Sequence, residues 1–286
     1  MINSKPRFVF FGTPEPAEEI LNELKTRGLV PNLIVTNPDK IVGRKQILTS
    51  SPVKKWALEN NIPILQPENL DSKFVSELKE NNWDLFIVVA YGKIIPKELL
   101  EIPKFGSINV HYSLLPKYRG ASPVESQILN DDKETGVSII LIDEKMDHGP
   151  ILAQAPVNIT NWPPTSQILR SKSNKIAGEI LAQIIPKYIS GKIIPKEQDH
   201  SKATYTKKFL TEDGLINLDD DPYKNYLKIQ AFSNWLPVYF FIEHHGKKIR
   251  VKITEAEFAD GELCLKKVIP EGKKEMDFES FKRGYK

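Results

Sequence analysis

Between Asp84 and Lys93 the chain reads Leu85-Phe86-Ile87-Val88-Val89-Ala90-Tyr91-Gly92, without a charge and without polar–apolar alternation. A strand of this kind turns apolar side chains to both faces, so both faces need cover. That is the condition of a strand inside a parallel sheet flanked by helices. Phe8–Phe11, Leu33–Thr36, Ile62–Leu65, Gly106–His111 and Gly136–Ile142 are further strand candidates. Helical patterns lie between them. Glu15–Arg27 carries Ala17, Ile20, Leu21 and Leu24 at helical spacing, Val53–Asn60 is launched by Ser51-Pro52, and Lys73–Asn81 is a third helix. Asn37–Ser50 reads as a polar loop. Strands alternating with helices predict an α/β fold with a doubly wound, mostly parallel, Rossmann-like sheet.

The 286 residues are more than one domain of about 150 residues needs. Between Thr165 and Ser190, Ile168, Leu169, Ile176, Ala177, Ile180, Leu181, Ile184 and Ile185 recur at three- and four-residue steps, which predicts a long helix closing the first part. The expected division is a catalytic domain over 1–190, a linker over 191–207 and a small C-terminal β domain over 208–286. In the last part Asp221–Phe232 reads as a helix, and Trp235–Glu243, Lys248–Thr254 and Glu262–Ile269 read as short strands separated by turns.

Several chemistries lack their residues. Lys+Arg 40 against Asp+Glu 37 leaves +3, which excludes wholesale coating of nucleic acid and leaves room for local basic patches. One cysteine, Cys264, excludes internal disulfides and Cys-based zinc clusters. Gly12-Thr13-Pro14 puts proline where a dinucleotide loop needs glycine, and neither a phosphate-loop nor a zinc-protease motif occurs. No run reaches the ~20 residues of a membrane span. The apolar stretch after Lys5 and Arg7 is too short for a signal peptide, so a cytoplasmic protein is expected.

Asn109-Val110-His111 ends a predicted strand, and alternation points Asn109 and His111 to the same side. The carboxyl end of a strand in an open α/β sheet is where ligands sit. An amide and an imidazole there supply a hydrogen-bond donor and a titratable base. Tyr112–Pro123 follows as a long non-helical loop whose Leu114 and Leu115 suit either the core or a flat aromatic ligand. Asp147, in Met146-Asp147-His148-Gly149-Pro150, is either a turn-former or the carboxylate that serves His111.

Asn109, His111, Ser113-Leu114-Leu115-Pro116, Gly120-Ala121 and Asp147-x-Gly149 together resemble the folate-dependent formyltransferase superfamily. Phe11-Gly12-Thr13-Pro14, the loop Asn37–Lys45 leading into Ser51-Pro52-Val53-Lys54, Ala203–Lys208 and Pro270-x-Gly272-Lys273-Lys274-x-Met276 resemble the methionyl-tRNA formyltransferase family within it. The resemblance implies formyl transfer from 10-formyltetrahydrofolate to the α-amino group of initiator methionyl-tRNA, without a metal. It implies that Asn109, His111 and Asp147 are catalytic and that Ser113, Leu114, Leu115 and Pro116 lie against the folate. Lys40, Arg44 and Lys45 of the basic loop, with Lys273 and Lys274, become candidates for tRNA contact. The C-terminal domain is expected as a small, abbreviated OB-like β-barrel, and the protein as a monomer that binds no membrane. An N-formyltransferase acting on a nucleotide-linked amino sugar shares the same chemistry and stays open as the alternative.

Overall fold

The computed structural model describes residues 5–43 and 46–285. The elements begin β1 (Phe8–Gly12), α1 (Glu15–Thr26), β2 (Leu33–Val35), β3 (Lys40–Val42), β4 (Ile47–Thr49), α2 (Pro52–Glu59), β5 (Ile64–Leu65), α3 (Ser72–Lys79) and β6 (Leu85–Val89). They continue α4 (Lys97–Leu100), β7 (Ser107–His111), β8 (Arg119–Gly120), α5 (Pro123–Leu129), β9 (Gly136–Leu141), β10 (Ile151–Pro156) and α6 (Ser166–Ile189). The rest are β11 (Tyr205–Thr206), α7 (Pro222–Ala231), β12 (Val238–His244), β13 (Lys247–Ala259), β14 (Glu262–Pro270), β15 (Met276–Asp277) and α8 (Phe278–Gly284). Two compact units emerge. One holds the chain up to Arg119 with Glu134–Val157 and Arg170–Tyr205; the other holds Gly120–Lys133, Asn158–Leu169 and the chain from Thr206 onward.

In the first unit seven strands form one sheet in the order β10-β9-β7-β6-β1-β2-β5. The five strands β5, β2, β1, β6 and β7 run parallel. Phe8, Val9, Phe10 and Phe11 are all 0% exposed, as a strand covered on both faces requires. On one face Val9, Phe11, Val35, Phe86 and Val88 pack against Phe74, Val75 and Leu78 of α3. Each such side chain contributes about 1.5–3 kcal/mol by burial. A β-carbon on Gly12 would lie 2.7 Å from Ala17 Cβ and 3.1 Å from Val89 O, so the glycine lets α1 start close against the sheet. Ser51 caps α2 by accepting from Lys54 N, and Asp71 caps α3 by accepting from Phe74 N.

The sheet is mostly parallel, as expected, with its antiparallel strands at one edge: β9 pairs antiparallel with β7, and β10 antiparallel with β9. Other expectations need correction. α5, the helix between β7 and β9, groups with the second unit, so that connection is not a βαβ crossover. Within Asn37–Ser50 the strands β3 and β4 form a hairpin, with Ile41, Ile47 and Leu48 60%, 58% and 66% exposed. Helix α6 covers the predicted long helix, but Ile168 is 49% exposed. Residues 191–205, read as linker, belong to the first unit, where Lys196 pairs with Ile151.

The second unit has a four-stranded antiparallel sheet, β12-β13-β14-β15, with α7 against β13 and β14 and α5 against α7. Among the described residues its edge strands β12 and β15 do not pair with each other. It is a small, open, four-stranded sheet, one strand fewer than a full OB barrel, in keeping with the small, abbreviated β module expected. The turns His245-Gly246 and Asp260-Gly261 have positive φ at both positions, which matches the twist of the hairpins they close.

Candidate active site

Strand β7 aims the site as its alternation predicts. Val110 is buried at 4% exposure, while Asn109 and His111 turn to the other side, toward the turn that carries Asp147. Asp147 sits at φ +48°, in the left-handed region. Its Oδ2 lies 3.5 Å from His111 Nδ1, and its Oδ1 lies 3.5 Å from Asn109 Nδ2. The three side chains drawn from the motifs are thus together.

His111, 4% exposed, has its other ring nitrogen, Nε2, 2.8 Å from the carbonyl of Tyr118. A carbonyl only accepts, so Nε2 carries the hydrogen and the neutral ring keeps its lone pair on Nδ1. The nitrogen able to take up a proton therefore faces Asp147.

A cavity of about 460 Å³ opens beside this group, within the range of small-molecule sites. Asn109 and Asp147 border it, with Ile94, Ile95, Leu100 and Ile140–Ile142 as apolar walls and Lys93, Lys97 and Lys145 among its charged residues. Lys93 donates to the carbonyls of Pro67 and Glu68 at 2.8 and 2.7 Å. Burial, and then the charge of Lys40, holds its ammonium below the ordinary lysine range. Nothing in sequence spacing marked Ile94 and Ile95 as cavity walls; they stand in an irregular stretch between β6 and α4.

Ser113–Pro116 is not among the residues lining that cavity. Ser113 and Leu115 are buried and the loop is pinned from β9. Ser138 Oγ donates to Ser113 O at 2.6 Å and accepts from Leu115 N at 3.0 Å. Gln154 Nε2 donates to Leu115 O and to Ser138 Oγ at 2.9 and 2.8 Å. Burial also raises the phenols of Tyr112 and Tyr91, the latter to about 12.

Of the basic candidates, Lys40 is exposed on β3, while Arg44 and Lys45 lie outside the described residues. Nearby, Lys54 pairs with Asp39 at 2.8 Å and holds that carboxyl below its usual range. Lys273 and Lys274 are exposed between β14 and β15. A more ordered basic strip is Lys248, Arg250 and Lys252, exposed at alternate positions of β13. Lys248 lies 4.3 Å above the ring of Phe241 and Arg250 5.3 Å above that of Tyr239, so cations and aromatic faces interleave there. Period-two alternation was the available signal for this strip. Among the described residues no His/Cys/Asp/Glu group is arranged to hold a metal ion, and no helix is long and apolar enough to cross a membrane.

A family profile described as "Formyl transferase" matches residues 6–185. The methionyl-tRNA formyltransferase of Thermodesulfovibrio yellowstonii is 38% identical over 97% of this chain and 96% of its own length. The expected shortening thus leaves no large piece of that relative unmatched. Among solved structures, a methionyl-tRNA formyltransferase from Clostridium thermocellum superposes with a TM-score of 0.62 at 19% identity, over 93% of this chain and 98% of that one. A 4-N formyltransferase from Francisella tularensis gives 0.66 at 22%, over 88% and 98%. At these identities the solved structures speak for the fold, and the sequence match speaks for the family. With the profile over residues 6–185 and the identity running nearly end to end, the chain belongs to the methionyl-tRNA formyltransferase family.

Proposed function

We propose that this chain transfers the formyl group of 10-formyltetrahydrofolate to the α-amino group of initiator methionyl-tRNA, as a cytoplasmic monomer. The observation that carries the reading is the convergence of Asn109, His111 and Asp147 beside the apolar-walled cavity. The cavity's isoleucines and leucines suit the flat rings of the folate, and its lysines suit the carboxylates of the folate tail. The co-substrate supplies a formyl carbon on nitrogen. Ser113, Leu114, Leu115 and Pro116 lie against the folate in this reading, in a loop pinned by Ser138 and Gln154.

The acceptor amine must be neutral to attack, and an α-amino group titrates near 7.7–8.0. His111 Nδ1 takes up the proton that the amine sheds as the new C–N bond forms; the tetrahedral carbon then breaks its bond to the folate nitrogen, which leaves with that proton as tetrahydrofolate. Nδ1 lies 3.5 Å from Asp147 Oδ2, so the charge made in the transition state meets a counter-charge. Asn109 Nδ2–H donates to the oxygen on which negative charge develops, a contact worth about 10²–10³ in rate. The tRNA meets Lys40, Arg44 and Lys45. In the C-terminal unit Lys273 and Lys274 are joined by Lys248, Arg250 and Lys252.

The test is formyl transfer by the purified protein from 10-formyltetrahydrofolate to charged initiator tRNA, against amino-sugar nucleotides as acceptors. Formylated Met-tRNA alone, lost in folded His111→Ala and Asp147→Asn, is the expected result. Turnover with the sugar acceptor only, or a fully active His111→Ala, refutes the reading.

A further inference from the structure

The group that holds the catalytic turn, Gln198, lies ahead of the Ala203–Lys208 motif and outside every motif drawn from the sequence. Gln198, 5% exposed, donates from Nε2 to Asp147 O at 2.9 Å and to Gly149 O at 2.7 Å, the carbonyls on either side of His148. Its Oε1 accepts from Nε and Nη2 of Arg119 at 3.2 and 2.7 Å. Arg119 is 1% exposed and also donates from Nη2 to His200 Nδ1 at 2.8 Å. The His200 ring stacks on His148 with centroids 4.0 Å apart and planes 7° apart, and His148 Nδ1 lies 2.6 Å from Asp143 Oδ2.

The segment around Gln198 is tied down at both ends. Lys196 exchanges backbone hydrogen bonds with Ile151 at 2.7 and 2.8 Å. Thr204 accepts from Tyr118 N at its Oγ1 and from Arg119 N at its carbonyl, each at 2.8 Å. Tyr118 is the residue whose carbonyl takes the His111 Nε2 hydrogen. Residues 196–204 therefore strap both sides of the constellation, the His111 side through Tyr118 and the Asp147 side through Gln198.

We propose that Gln198, seated on Arg119, is a positioning residue that fixes Asp147 relative to His111 and Asn109. The proposal rests on the catalytic reading of Asp147. Asp147 holds a left-handed backbone conformation, which persists only where the surroundings over-determine it. The two carbonyls bound by Gln198 are the Asp147 carbonyl and the one two residues on. A primary amide has two donor hydrogens and two acceptor lone pairs, and all four are used here.

Gln198→Glu keeps the length and the acceptors toward Arg119 but turns an oxygen, not a donor, toward the two carbonyls. In the folded variant, checked by circular dichroism and melting, kcat for formyl transfer should fall by up to about 10²-fold, with KM for Met-tRNA unchanged and the pH midpoint of kcat displaced. Gln198→Asn keeps the donor and shortens its reach, and should lose less. Should Gln198→Glu not fold, Gln198→Asn is decided on the same three readouts. Wild-type kcat and pH midpoint in a folded variant, even with a lowered Tm, overturn the proposal. Asp147→Asn run alongside separates the two layers: if it stays active, the catalytic reading beneath the proposal fails. If it is inactive while Gln198→Glu behaves as wild type, the positioning proposal alone fails.

Discussion

Gly149 closes the D-x-G turn, and the structure says why a side chain is excluded there. A β-carbon on it would lie 2.0 Å from Leu141 O and 2.9 Å from Leu141 C. Ordinary contact begins at 3.4 Å, so the methyl of Gly149→Ala is about 1.4 Å too close to a main-chain oxygen. No side-chain rotation relieves this, and Leu141 N is itself bonded to Pro150 O at 2.9 Å. The turn must move, and Asp147 moves with it. Its contacts to His111 and Asn109 are 3.5 Å each, so a displacement on the order of 1 Å costs about 10²-fold in turnover, or about 2.7 kcal/mol of activation free energy. Overpacking costs the fold a further 1–3 kcal/mol or so, at roughly 2–4 °C of Tm per kcal/mol. The assay is kcat for Met-tRNA formylation beside a thermal melt. Gly149 also borders the cavity, so KM for the folate should rise, but kcat is the deciding number. A folded Gly149→Ala with wild-type kcat refutes the argument that the position of Asp147 limits the rate.

Ser138→Ala strands the Leu115 N–H and removes one acceptor of Gln154. It should cost about 1–3 kcal/mol, read as a lower urea midpoint; an unchanged midpoint shows that the loop does not depend on it. Burial raises Tyr91 to about 12, above the ordinary tyrosine value near 10. Its contribution to stability is therefore whole below pH ~10 and is lost as pH rises toward the folded value. Tyr91→Phe should flatten the alkaline limb of the melting profile, and a limb identical to wild type contradicts this. Replacing Lys248, Arg250 and Lys252 by alanine should weaken tRNA binding and lower its salt slope by about one for each phosphate left without its cation. An unchanged slope removes the strip from the interface.

What the sequence made legible follows from which forces act locally. The non-alternating run Asp84–Ala90 reads as a doubly covered strand, and β6 within it sits inside the sheet between β1 and β7. Ser51-Pro52 announced α2 because the cap is made three residues away, at Lys54 N. Asn109 and His111 could be placed on one side because a strand repeats every two residues. The direction of β9 was not legible, since a strand's residue pattern is the same whichever way it runs. The hairpin β3–β4 was hidden by its length, three residues a side with exposed Ile47 and Leu48. Gln198 left no trace because two of its partners are backbone carbonyls 51 and 49 residues away, which carry no residue identity, and the third, the Arg119 side chain, is 79 residues away.

The structure also divides two roles that the motif leaves joined in Asp147. In the sequence, a carboxylate near a histidine can orient the ring, offset its charge, or do both. Here the ring is oriented from the other side: Nε2 is committed to Tyr118 O at 2.8 Å, and the Tyr118 main chain is fixed by Thr204. Asp147 at 3.5 Å from Nδ1 is too distant for a well-formed hydrogen bond but close enough for charge to act through a low-dielectric site. Asp147→Asn therefore leaves the imidazole where it is and removes only the countercharge. The turnover that such a variant loses measures the electrostatic role of the carboxylate, while Gly149→Ala and Gln198→Glu measure its position with the charge intact. If the two kinds of variant lose turnover with different pH dependence, charge and geometry are separate contributions at this site.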